Sequence, residues 1–219
     1  MKIVSISNQK GGVGKTTTSV NLAASLGTNK QSVLLVDLDP QGNATSGAGI
    51  NKSTLSESIY ETLIGKISIN NVVQPSGDNL FDIAPANQSL AGAEIEMVGI
   101  KNREYVLKGA FKTLKKTYDF VLIDCPPALN LLTVNALAAS KSVIIPMQCE
   151  YYALEGLSDL VNTIKKVKQN LNPDIEIEGL LRTLFDRRNT LTKQVSDQLS
   201  AHFGSKVYKT IIPRNVRLA

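Results

Sequence analysis

The chain has 219 residues, 42% hydrophobic and 20% charged, with a formal charge of +5. Such a composition favours one globular domain with a real core, and the modest positive charge permits an anionic partner without requiring one. Two cysteines, Cys125 and Cys149, and a single His202 exclude a zinc site and fit a reduced, cytosolic chain. No signal peptide is visible, and no stretch approaches the about 20 apolar residues of a membrane span.

Aromatics are 5% of the chain and Trp is absent, so the core is aliphatic, as in a parallel sheet covered by helices. Strand-length apolar runs occur at 3–7, 33–37, 80–84, 120–124, 143–147, 177–181 and 207–212. Between them lie helical patterns. Val20, Leu22, Ala23 and Leu26 mark one over 16–26, and Leu154, Leu157, Val161 and Ile164 mark another. Further helices are expected over 56–64, 105–118 and 192–202. Strand alternating with helix predicts an α/β fold: a mostly parallel, twisted sheet of about seven to eight strands flanked by helices. No linker or repeat divides the chain, so a single domain over 1–219 is expected. The final residues, 213–219, follow directly on a strand, which reads as a C-terminal truncation.

The first strand runs into Asn8-Gln9-Lys10-Gly11-Gly12-Val13-Gly14-Lys15-Thr16-Thr17, which opens a helix. Glycines let backbone N–H groups wrap phosphate oxygens, and the helix N-terminus adds a favourable dipole. Lys15 supplies charge to the β- and γ-phosphates, and the Thr16 hydroxyl is placed to ligate Mg²⁺. The usual first glycine is replaced by Gln9, and a second lysine, Lys10, precedes Gly11. Asp37 ends the run at 33–37 and Asp39 follows two residues later, and Asp124 ends the run at 120–124. Acidic residues at strand ends suit a Mg²⁺ site, so Asp37 and Asp124 join Thr16 as metal candidates.

From Arg182 to Arg217 inclusive there are eight basic residues and two acidic ones. Arg182, Arg187, Arg188, Lys209, Arg214 and Arg217 are the candidate contacts to DNA phosphates. On the residues alone, an ordinary solvated face is the competing reading.

Residues 10–18, 36–43, 123–127, 146–156 and 212–219 together resemble the ParA/Soj partition ATPases. These belong to the deviant Walker A group of P-loop NTPases that includes MinD and the nitrogenase iron protein. The resemblance implies ATP and Mg²⁺ as cofactors and a homodimer sandwiching nucleotide. It implies that Lys10 reaches the partner's phosphates, that Asp39 activates or positions water, and that Pro213 and Asn215 lie against adenine. It also implies non-specific DNA binding, a ParB-like centromere-binding partner, and a cytoplasmic, nucleoid-associated protein with no membrane contact. Lys10, Lys15 and Asp39 are the expected catalytic residues. Nucleotide contacts are expected from Lys10, Gly11, Gly12, Val13, Gly14, Lys15, Thr16 and Thr17. A MinD-like membrane-positioning ATPase and a small-molecule ligase or kinase of the same fold are the alternatives.

Overall fold

The computed structural model describes residues 1–150 and 153–215, and of residues 153–155 the backbone alone. Strand β1 (Lys2–Ile6) leads through the glycine loop into α1 (Lys15–Thr28) and then β2 (Val33–Asp37). Short helices α2 (Asn43–Gly47), α3 (Ile59–Leu63) and α4 (Ile69–Val72) precede strands β3 (Gln74–Pro75) and β4 (Asp82–Ala84). Next come α5 (Ala93–Glu96), α6 (Val106–Lys112), β5 (Phe120–Asp124), α7 (Leu131–Ala139) and β6 (Ser142–Gln148). The chain continues through α8 (Ala153–Asn170), β7 (Glu176–Phe185), α9 (Thr190–Phe203) and β8 (Val207–Pro213).

The strands form one eight-stranded sheet in the order β3-β4-β2-β5-β1-β6-β7-β8. Every pairing is parallel except that of β3 with β4. All seven apolar runs are strands, and the mostly parallel α/β sheet is as expected. The eighth strand, β3, has two residues and ends in Pro75, which lacks an N–H for a central ladder. It is too short to leave a periodic signal.

Why β2 and β5 read as unbroken apolar runs is plain from the packing. Leu34, Val36, Val121 and Ile123 face a layer that includes α3, α4, α6 and α7. Leu35 and Leu122 face the opposite layer with Ala23 of α1 and Ala44 of α2. A strand covered on both faces has no polar side to alternate with. Leu157, Leu160 and Ile164 of α8 and Val195 and Leu199 of α9 pack on Val143, Ile145 and Leu180. Each such side chain contributes about 1.5–3 kcal/mol through burial.

Two helices differ from expectation in extent. The one expected over 105–118 is a 3-10 turn, Arg103–Tyr105, followed by α6, which ends at Lys112. The one expected over 56–64 starts at Ile59, where Ser58 and Glu61 form a capping box. Helix α7 escapes the sequence reading because it is apolar nearly all round, with Leu132, Ala136, Leu137 and Ala138 fully buried.

The connection from β1 to β2 passes β5 on one side, and that from β5 to β6 passes β1 on the other. Connections thus diverge in opposite directions around the β5–β1 pair. A crevice opens there at the C-terminal ends of the strands, the usual ligand position in such sheets.

Candidate nucleotide site

The glycine loop occupies that crevice. Asn8 anchors its start: Nδ2 donates to the Pro146 carbonyl of β6 at 2.7 Å, and Oδ1 accepts from the Lys10 N–H at 3.0 Å. Gly12 and Gly14 have φ of 71° and 83°, the left-handed region that side chains disfavour. Gly14 is also the N-cap of α1 and offers no side chain, and no acidic residue lies in the helix's first turn. The first N–H groups of α1 therefore face the loop without a side-chain partner, which makes an anion site. Gln9 Nε2 is likewise buried with no acceptor. Both features suit the oxygen atoms of a polyphosphate.

Lys15 is 7% exposed and bends back across the loop, where Nζ donates to the Lys10 carbonyl at 3.0 Å. Burial lowers its pKa, and the nearby charge of Asp124 opposes that shift. Thr16 Oγ1 donates to Asp124 Oδ2 at 2.8 Å, and Ser19 Oγ donates to Oδ1 at 2.8 Å. Parallel register brings Asp124 directly beside Asp37. Both carboxylates are fully buried. Burial raises the Asp124 pKa to about 7, with the charge of Asp37 adding to the effect. Asp37 rises to about 6 by burial, opposed by bonds from the Thr45 hydroxyl and N–H at 2.8 Å each.

This donor set fits Mg²⁺. That ion keeps several waters, takes substrate phosphate oxygens, and needs one or two protein oxygens rather than a cage. Thr16 supplies a hydroxyl, and Asp124 and Asp37 supply negative charge behind it. Asp39 opens the turn after β2, where its carbonyl accepts from the Gly42 N–H at 2.8 Å and its Oδ1 from the Gln41 N–H at 2.9 Å. Nearby Gly42, with φ of 60°, is packed so closely that a Cβ would stand 2.7 Å from the Ala86 carbonyl oxygen.

The candidate residues separate clearly. Gly11, Gly12, Val13, Gly14, Lys15, Thr16 and Thr17 form the loop and the first turn of α1. Lys10 is exposed at the loop's mouth, paired with Glu150 at 2.5 Å. Pro213 ends β8, and the adjacent Arg214 N–H bonds the Phe185 carbonyl. Arg187, Arg188, Lys209 and Arg214 are exposed. Arg182 is partly buried, and its guanidinium donates to Ser196 Oγ at 2.9 Å and the Tyr208 carbonyl at 2.7 Å. It ties β7 to α9 and β8. Arg217 lies outside the described residues.

Three functional partners went unread in the sequence. Ser19 sits three positions after Thr16, hence on the same helix face, so its spacing carried a usable signal. Thr45 bonds Asp37 and also accepts from the Ala86 N–H at 2.8 Å. Thr183 donates to the Val13 carbonyl at 2.7 Å across 170 positions, which no local pattern reveals.

Residues 1–177 match the AAA domain family. The chain is 54% identical over 218 residues to the sporulation initiation inhibitor protein Soj of Bacillus subtilis, covering 100% of this chain and 86% of that protein. It is 52% identical over 218 residues to the chromosome partitioning protein ParA of Myxococcus xanthus, covering 100% of this chain and 77% of that one. Among solved structures, one called cobyrinic acid a,c-diamide synthase from Mycobacterium smegmatis, with bound ATP analog and magnesium, has a TM-score of 0.93 at 40% identity. It covers 98% of this chain and 88% of that chain. A putative plasmid partition protein from Borrelia burgdorferi bound to AMPPNP has a TM-score of 0.82 at 32% identity, over 99% and 86% of the two chains. With a glycine loop, a buried lysine and strand-end carboxylates in one crevice, this chain belongs to the ParA/Soj family of AAA-domain P-loop ATPases.

Proposed function

We propose that the chain is a Mg²⁺-dependent ATPase that acts as an ATP-controlled dimerisation switch in chromosome or plasmid partition. The observation that carries the reading is the joint placement of Lys15, Thr16 and Asp124 around one glycine loop. Phosphoryl transfer asks little covalent chemistry of the protein; positioning and charge neutralisation do most of it. The N-terminal amides of α1 and Lys15 bind the β- and γ-phosphates. Thr16, with Asp124 and Asp37 behind it, would hold Mg²⁺, which when bound neutralises charge on the phosphate oxygens. Asp124 orients Thr16 by accepting a hydrogen bond from its hydroxyl, and Ser19 holds the other carboxylate oxygen. Asp39 orients the attacking water, and Pro213 and Asn215 flank the adenine.

Lys10 reaches the phosphates held by a second copy, in the manner of an arginine finger supplied in trans. Such fingers are worth roughly 10³–10⁵ in rate, so turnover depends on dimerisation. In the single chain Lys10 rests on Glu150 instead, with side chains 43% and 50% exposed. A pair this exposed contributes only about 0–1 kcal/mol, so a second copy can displace it easily. Arg187, Arg188 and Arg214 stand where β7 and β8 end, at the loop's end of the sheet. Doubled in a dimer, they would bind DNA phosphates without reading sequence and place the ATP state on the nucleoid. A ParB-like centromere-binding protein then stimulates hydrolysis and resets the switch.

The test is the ATPase rate with and without Mg²⁺, DNA and a centromere-binding protein. Lys15→Ala should abolish nucleotide binding. Lys10→Ala should keep it and lose stimulated turnover; stimulated turnover intact in that variant overturns the role in trans. Co-sedimentation with liposomes in place of DNA would favour the membrane-positioning alternative. A ligase reading draws on the synthase structure at 40% identity, against 54% and 52% to Soj and ParA. ATP turnover coupled to amidation of an added carboxylic acid would support it.

A further inference from the structure

Thr183 lies near the C-terminal end of β7 and is 3% exposed. Its Oγ1 donates to the Val13 carbonyl at 2.7 Å, from behind the phosphate loop. Its methyl group lies against Gly14, where a Cβ would stand 3.8 Å from Thr183 Cγ2. The carbonyl of Val13 and the N–H of Gly14 belong to one planar peptide unit and point in opposite directions. Holding that carbonyl outward therefore turns the Gly14 N–H inward, toward the position of a phosphate oxygen. A donor fixed in advance in this way costs no reorganisation when the anion arrives.

Leu184 follows with φ of 49°, a left-handed conformation that a leucine rarely adopts. The kink falls where the β7–β8 register shifts, between Arg182 and Phe185. It turns the chain into the basic turn Asp186-Arg187-Arg188-Asn189. Asp186 Oδ1 accepts from the Arg188 N–H and Nε at 3.0 Å each. Asn189 caps α9 by accepting from the Leu191 and Thr192 N–H groups at 2.9 and 3.4 Å. The Phe185 carbonyl accepts from the Arg214 N–H at 3.2 Å. A short bonded path thus runs from the back of the phosphate loop to Arg187, Arg188 and Arg214.

Resting on the nucleotide-binding reading of the loop, we propose that Thr183 is a positioning residue for the phosphate loop. We further propose that the kinked segment 183–189 carries the loop's state to the basic turn. Thr183→Val keeps shape and removes the donor; Thr183→Ser keeps the donor. Affinity is measured with a fluorescent ATP analogue and Mg²⁺. Hydrogen exchange of amides 187–192 is followed without and with saturating nucleotide. Thr183→Val should bind about tenfold more weakly, and Thr183→Ser within about twofold of wild type. Nucleotide should alter exchange in the turn of wild type and Thr183→Ser, and leave it unaltered in saturated Thr183→Val. A merely structural role would not erase that response in a folded, saturated variant.

Wild-type affinity in Thr183→Val overturns the positioning role. A turn indifferent to nucleotide in the wild-type chain overturns the coupling. If the valine variant does not fold, Thr183→Ser decides: loss of affinity there, with the donor retained, overturns the proposal. A wild-type chain that binds no nucleotide at all overturns the reading of the loop and this proposal together. Normal wild-type binding with an unaffected Thr183→Val overturns the proposal alone.

Discussion

Replacing Asp124 by Asn separates the cost of burying the site's charge from its use. Asp124 is fully buried, and burial together with Asp37 lifts its pKa from 3.8 to about 7. Between those values the folded chain holds a proton that the unfolded chain has released. The group's contribution to stability is therefore full below about pH 4 and is lost as pH rises to about 7. At about 1.4 kcal/mol per pH unit, the loss is on the order of 4 kcal/mol. An amide cannot ionise and escapes it. It also weakens the bonds from Thr16 and Ser19, at about 1 kcal/mol each. The net expectation for Asp124→Asn is a gain of roughly 2 kcal/mol at pH 8, or about 4–8 °C in Tm. At pH 4.5 the wild-type carboxyl is itself protonated, so the gain disappears. Urea and thermal unfolding without nucleotide and Mg²⁺, at both pH values, measure it. Adding Mg²⁺ and ATP should then stabilise wild type more than the variant, because the variant has lost charge behind the ion. A variant less stable than wild type by the same margin at both pH values would refute the reasoning.

Asp39→Ala should retain nucleotide and accumulate an ATP-bound dimer, seen by size-exclusion chromatography; rapid turnover in that variant removes Asp39 from the water-positioning role. Gly42→Ala places a Cβ 2.7 Å from the Ala86 carbonyl oxygen at a φ of 60°, so it should cost at least about 1–3 kcal/mol in chemical denaturation. Arg187→Ala, Arg188→Ala and Arg214→Ala combined should weaken ATP-dependent DNA binding and flatten its salt dependence with little change in Tm. Arg182→Ala should do the reverse, lowering Tm through the lost bonds to Ser196 and Tyr208, with DNA binding of the folded fraction retained.

How far the site was legible depended on distance along the chain. Gly14, Lys15 and Thr16 are neighbours, and a strand before and a helix after them are local patterns. Asp37 and Asp124 could each be found at the end of an apolar run. That they stand side by side is a matter of register, since β2 and β5 pair in parallel from Val33↔Phe120 to Asp37↔Asp124. Arg182 and Arg187 look equivalent as letters in a basic stretch. Strand alternation and the packing of α9 turn one onto Ser196 and leave the other exposed. Helix α7 leaves no clear period in the sequence because it is buried on nearly every face.

By itself, the sequence determined the loop, the strands that end in carboxylates and the alternation that makes a parallel sheet. Those depend on backbone freedom, hydrophobic period and turn chemistry within a few residues. Tertiary structure alone decided which side chains stand behind the loop. Asp124 meets Thr16 across 108 positions and Thr183 meets Val13 across 170. Contacts of that span exist only once the crossovers have put β5, β1, β6 and β7 next to one another, and no local propensity specifies them.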